Sequence, residues 1–117
     1  MDFNRTKGLK KDSDFRKVYK HGKSFANKHL VMYILDNKSD STRVGISVSK
    51  KVGKAITRNK IRRRIKEAYR LNIDEKVKNG YDLVFIARVA IKDVDYKNIE
   101  KSMNHLMKKA NIKLDEQ

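Results

Sequence analysis

No cysteine occurs among the 117 residues, which excludes disulfides and thiolate metal sites and gives no sign of an oxidising compartment. Long apolar runs are also missing. Nothing approaches the roughly 18–20 consecutive apolar residues of a transmembrane helix, and the opening MDFNRTKGLKKDSD contains no stretch of signal-peptide length. The expectation is a cytoplasmic protein that does not enter a membrane. Glycines are few, and Gly8, Gly22, Gly45, Gly53 and Gly80 each stand alone, so there is no phosphate-cradling loop. His21, His29 and His105 are scattered, without carboxylates at ligand spacing. Asp82, Asp93 and Asp95 could touch a hydrated cation, but three acids near turns are commonplace. No catalytic residue is expected in the polypeptide, and no metal ligand can be assigned.

Acids are absent where they would matter most. From Lys50 to Lys66 the chain carries nine basic side chains and no carboxylate: Lys50, Lys51, Lys54, Arg58, Lys60, Arg62, Arg63, Arg64 and Lys66. Like charges at helical spacing repel, so the block calls for something anionic to neutralise it. The whole chain has a net charge of +16, far beyond what solubility needs, and a polyanion is the expected partner.

The length suits one compact domain over residues 1–117, and hydrophobic residues make up 38%, enough for a core where they cluster. Residues 1–10, polar and basic around Gly8, read as a mobile arm. A short helix follows, capped by Asp12 or Ser13, carrying Phe15, Val18 and Tyr19 on one side and stopped by Gly22 in a left-handed cap. His29–Leu35 is apolar throughout, as a covered strand would be. Asn37–Thr42 is a turn. Val44, Ile46 and Val48 alternate with Gly45, Ser47 and Ser49, and the small residues leave room for something to approach that face closely. Thr57, Ile61, Ile65, Ala68 and Tyr69 form one stripe of a helix, with Asn59, Arg62, Arg63, Lys66 and Arg70 opposite. Tyr81–Ala87 reads as a buried strand, and Tyr96, Ile99, Met103, Leu106, Met107 and Ala110 follow helical spacing. The order α-β-β-α-β-α predicts a small two-layer α/β sandwich of the α+β type around a mixed sheet.

Two surfaces could bind a partner. In the basic helix Lys54, Arg58 and Lys60 sit in the opening turns, where the helix dipole disfavours cations by about 0.3–1 kcal/mol each and free N–H groups suit a phosphate. Arg62 and Arg63 can fork onto phosphate oxygens, and Asn59 can reach a base edge or sugar. The bland alternative is a solvated helix face. Phe15 and Tyr19, four residues apart, share a helix face that could meet Tyr33. Such rings either pack a core or stack unpaired bases, at about 1–3 kcal/mol per base.

Three segments together carry a resemblance: DFRKVYKHG at 14–22, RVGISVSKKVGKAITRNKIRRRIKEAYR at 43–70 and YDLVFIAR at 81–88. In order and spacing, over nearly the whole chain, they resemble the bacterial ribonuclease P protein subunit. The motif helix departs from the family pattern, with Lys60 where arginine is usual and Arg62 where lysine is usual. Lys60 therefore lacks the planar fork of a guanidinium. The resemblance implies a subunit of the ribonucleoprotein endonuclease that removes the 5′ leader from precursor tRNA, with catalysis residing in the RNA and Mg2+ held mainly by that RNA. It implies that Arg58, Asn59, Lys60, Arg62, Arg63 and Lys66 face the catalytic RNA. Phe15, Tyr19 and Tyr33 would form a leader-binding cleft, with Lys50 and Lys51 lining it or its rim. A left-handed βαβ crossover around the basic helix is implied as well, and no obligate protein partner is evident. A general RNA-binding or ribosomal protein is the alternative reading; a stand-alone nuclease would need protein-only cleavage. A DNA reader lacks the second helix of a helix-turn-helix.

Overall fold

In the computed structural model, which describes residues 3–114, five strands form one mixed sheet. The elements are β1 (Lys7–Gly8), α1 (Asp12–His21), β2 (Lys23–Ala26), β3 (Leu30–Asp36), β4 (Arg43–Ser47), α2 (Ala55–Asn72), β5 (Tyr81–Ala87) and α3 (Tyr96–Ala110). The spatial order is β1-β4-β5-β3-β2. β5 pairs antiparallel with β3 and parallel with β4, and α2 forms the connection between the two parallel strands. Burial of β5 is nearly continuous, as a central strand covered on both faces requires.

Alternation along the strands divides the apolar residues between the two faces. Met32, Ile34, Val44, Leu83 and Phe85 pack with Ile61, Ile65 and Tyr69 of α2 and Ile99, Met103 and Leu106 of α3. This is the expected sandwich of sheet and helical layer. On the other face Val84 packs with Val18 of α1 and with Leu9, flanked by Phe15, Tyr33, Leu35 and Ile86. Thus α1 covers part of that face only.

The expected mobile arm is corrected from residue 3 onward, while residues 1–2 lie outside the described chain. Lys7–Gly8 adds a strand to the edge of β4, with the Lys7 amide donating to Thr42 O at 2.9 Å and that of Leu9 to Val44 O at 2.8 Å. The buried Asp74 carboxylate accepts the backbone N–H groups of Asn4 at 2.7 Å, Arg5 at 3.2 Å and Thr6 at 2.8 Å. The Thr6 hydroxyl meets the Tyr69 hydroxyl at 2.9 Å inside the fold. Burial pushes the Tyr69 phenol well above its usual range, so it stays protonated and able to donate. Local composition hid all this, because the acceptor lies about seventy residues away.

Other differences are local. α1 begins after Lys11 with no side-chain cap, so neither Asp12 nor Ser13 serves as one; Asp12 and Asp14 instead place negative charge in the first turn. Gly22 is extended rather than left-handed. It is needed for space, since a Cβ there would lie 2.6 Å from Val18 O and 2.8 Å from Ile34 O. β1 and β2 escaped the pattern because two and four residues are too short to show a period. Asp95, considered above as a cation contact, caps α3 by accepting from Asn98 N at 3.0 Å.

Candidate nucleic-acid interface

α2 presents its charge as the spacing predicts. Ile61, Ile65, Ala68 and Tyr69 are buried, while Asn59, Lys60, Arg63 and Lys66 are exposed. Its first turn contains no acid, and Lys54 at the N-cap offers no side-chain acceptor, which leaves the opening amides available to an anion. Arg62 is more constrained than the sequence suggested. Its guanidinium donates to Asn59 Oδ1 at 3.0 Å and Val48 O at 3.4 Å, tying the helix face to the end of β4. Arg58 is half-buried, with Nε sealed from solvent and without an acceptor. Arg64 turns the other way and donates to Val94 O at 3.2 Å. Lys50 and Lys51 project from a short 3-10 turn that the buried Val52 anchors below.

The three aromatic residues meet on the α1 side of the sheet. The Phe15 and Tyr19 ring centroids are 6.4 Å apart, and Tyr19 meets Tyr33 edge-on at 5.1 Å. Phe15, Tyr19, Ser47, Ile46, Asp12 and Arg16 line an open groove of about 370 Å³. Partial burial raises the Tyr19 phenol above its ordinary value, against an opposing effect of the Ser47 hydroxyl. Strand register puts Tyr33, Val84 and Gly45 in one row, with Val31, Ile86 and Ser47 in a neighbouring one. The close approach that small residues on β4 suggested is made by Phe15 itself: a Cβ on Gly45 would lie 2.4 Å from Phe15 Cζ. Phe15 therefore both packs the fold and floors the groove.

Gly45→Ala is expected to push that ring away at a cost of about 1–3 kcal/mol, seen as a lowered melting temperature. Phe15→Leu in the same chain should recover part of the loss, since the shorter side chain vacates the space. An unchanged melting temperature in the single variant would mean the ring is not seated there.

Sequence reasoning did not find the groove's support. Arg43 forks onto the buried Asp82 carboxylate, Nε to Oδ1 at 2.9 Å and Nη2 to Oδ2 at 2.7 Å, and reaches Asp14 of α1 at 3.3 Å. Asp82 also accepts from Asn37 Nδ2 at 2.9 Å. Asp82 thus holds α1 to the sheet through Arg43 and is not free for a cation. Its polarity inside an apolar strand was the available signal. Among the described residues, no group of three or more His, Cys, Asp or Glu could hold a metal ion, and no helix is long and apolar enough to cross a membrane.

A cationic helix face beside an aromatic groove, joined at the end of β4 through Arg62 and Ser47, defines an RNA-binding α/β domain. A sequence profile described as Ribonuclease P matches residues 3–111. The chain is 76% identical over 114 residues to the ribonuclease P protein component of Clostridioides difficile (strain 630), covering 97% of this chain and all of that one. The Staphylococcus aureus RNase P protein superposes with a TM-score of 0.81 at 40% identity, over 90% of this chain and 95% of that one. The Thermotoga maritima RNase P protein gives 0.80 at 33%, over 88% and 96%. The chain belongs to the ribonuclease P protein family.

Proposed function

We infer that this chain is the protein subunit of the ribonucleoprotein endonuclease that removes the 5′ leader from precursor tRNA in the cytoplasm. The bond is cleaved by the RNA subunit, and α2 docks on that RNA. The carrying observation is the exposed, predominantly cationic face of Asn59, Lys60, Arg63 and Lys66, whose neighbouring acid Glu67 is paired with Arg70, on a helix with no acid in its first turn. Alone, that face suffers self-repulsion; against phosphates the same charges bind and release counterions.

The groove lined by Phe15 and Tyr19, with Tyr33 edge-on behind Tyr19, is the proposed seat for the single-stranded leader. Stacking on aromatic faces suits unpaired bases of any sequence, and Lys50 and Lys51 supply charge at the rim. Mg2+ is proposed to be held by the RNA, with the protein's cations taking over part of the phosphate screening that magnesium otherwise supplies, so that less of it is needed.

Reconstitution tests the reading. Added protein should permit leader cleavage by a cognate catalytic RNA at magnesium concentrations where the RNA alone is slow, whereas protein without RNA should not cleave. Failure to stimulate would leave only the general RNA-binding alternative. Tyr33→Ala should weaken binding of precursor by about fivefold or more while leaving mature tRNA nearly unaffected. Equal losses for both, with a lowered melting temperature, would return Tyr33 to a packing role.

A further inference from the structure

A second concavity lies away from the aromatic groove, on the α2/α3 side of the sheet. It is a trough of about 560 Å³ lined by Phe3, Arg63, Arg64, Lys66, Arg70 and Tyr96. We propose that this trough is a second RNA subsite, which takes an unpaired nucleotide of the partner RNA with its base against an aromatic ring and its phosphate on Arg63 and Lys66. The proposal rests on the RNA-binding reading above and extends it to a place that the groove and the motif helix do not explain.

Four observations support it. The volume falls within the range of about 300–1,000 Å³ typical of small-ligand sites. The wall at Phe3 is fixed: its ring lies 4.8 Å from that of Tyr69, which in turn meets Phe85 at 6.1 Å, and Asp74 pins the adjoining backbone. The charge is unbalanced, because the one acid in the lining, Glu67, is already occupied by Arg70, whose guanidinium holds its carboxyl below the usual range. Among the described residues neither Arg63 nor Lys66 has an acidic partner. Finally, Arg63 and Lys66 also belong to the exposed face of α2, so the trough is continuous with the proposed RNA-binding surface. Flat apolar faces beside free cations match a base joined to its phosphate, the pairing that proteins use for unstacked nucleotides.

The chain has no tryptophan, so Phe3→Trp places a sole tryptophan in the wall, which can be excited selectively at wavelengths the five tyrosines do not absorb. Titration with uridine or adenosine 5′-monophosphate should quench it saturably in the millimolar range. Inorganic phosphate at equal concentration should quench it far less. In the otherwise native chain, Tyr96→Leu keeps apolar bulk and removes the aromatic face. It should weaken binding of the catalytic RNA about fivefold or more, with the slope of log affinity against log salt unchanged because no charge is lost. Quenching by phosphate equal to that by nucleotide would reduce the trough to an anion site and overturn the proposal. So would a reporter blind to nucleotide, or native RNA affinity in Tyr96→Leu. If the native chain still binds the RNA in a salt-sensitive way, only the trough has failed; loss of that binding would be the failure of the wider reading.

Discussion

Asp74→Ala is expected to remove about 3–5 kcal/mol of stability, the largest effect of any single substitution considered for this chain. The carboxylate is buried and accepts three consecutive backbone N–H groups, those of Asn4, Arg5 and Thr6. Hydrogen bonds to a charged acceptor each contribute about 1.5–3 kcal/mol, and donors left unpaired inside the fold cost a comparable amount. The segment can recover part of this by peeling off into water, but it then gives up Phe3 on Tyr69, Leu9 in the α1-side cluster and the β1–β4 pairing. Thermal melting should fall by about 10–20 °C. Asp74→Asn, which keeps one carbonyl acceptor and loses the charge, should lie between native and alanine. A fall of only a few degrees would mean that the N-terminal segment contributes little to the fold.

The second large effect concerns RNA affinity. Removing both Arg62 and Arg63 by alanine substitution is expected to flatten the slope of log affinity against log salt by about 1.4–1.8, two contacts at about 0.7–0.9 each. Affinity at moderate ionic strength should drop roughly a hundredfold, since charge-assisted contacts are worth at least about 1.5 kcal/mol apiece. The two arginines are not equivalent. Arg63 is exposed, so its loss should leave the melting temperature unchanged, while Arg62 also donates to Asn59 and Val48 O. Arg62→Lys separates the roles: it keeps the charge and the slope but loses the fork. Filter binding or fluorescence anisotropy across a salt series reads both quantities. An unaltered slope in the double variant would move the RNA interface off this face of α2.

Both effects bear on how the two surfaces work together. Arg62 joins the basic helix to the end of β4, and Ser47 at that end lines the aromatic groove. A link of this kind would set the distance between the proposed RNA contact on α2 and the proposed leader seat over the sheet. Arg43, forked onto Asp82 and reaching Asp14, performs the matching task for α1. Neither arginine was legible as a brace from spacing, because the bracing acceptor, Val48 O for Arg62 and the Asp82 carboxylate for Arg43, lies outside its own element.

The helices and long strands were legible because their signals are local. Apolar residues recur at the helical period through Ile61, Ile65, Ala68 and Tyr69, and no acid precedes Glu67 in the helix, so α2 and its two faces could be read directly. Tyr81–Ala87 and Tyr96–Ala110 matched at their ends for the same reason. The family resemblance drew on the same segments. What the linear pattern could not carry was any pairing across tens of residues. The docking of residues 3–9 on Asp74, Tyr69 and β4, the seating of Phe15 over Gly45, and the trough between Phe3, α2 and Tyr96 arise only when distant segments are brought together. Periodicity and charge are properties of neighbours in the chain, and they settled which elements form and which face is cationic. Burial of a lone carboxylate or of a ring over a bare Cα depends on neighbours in space, and only the closed tertiary structure decides those.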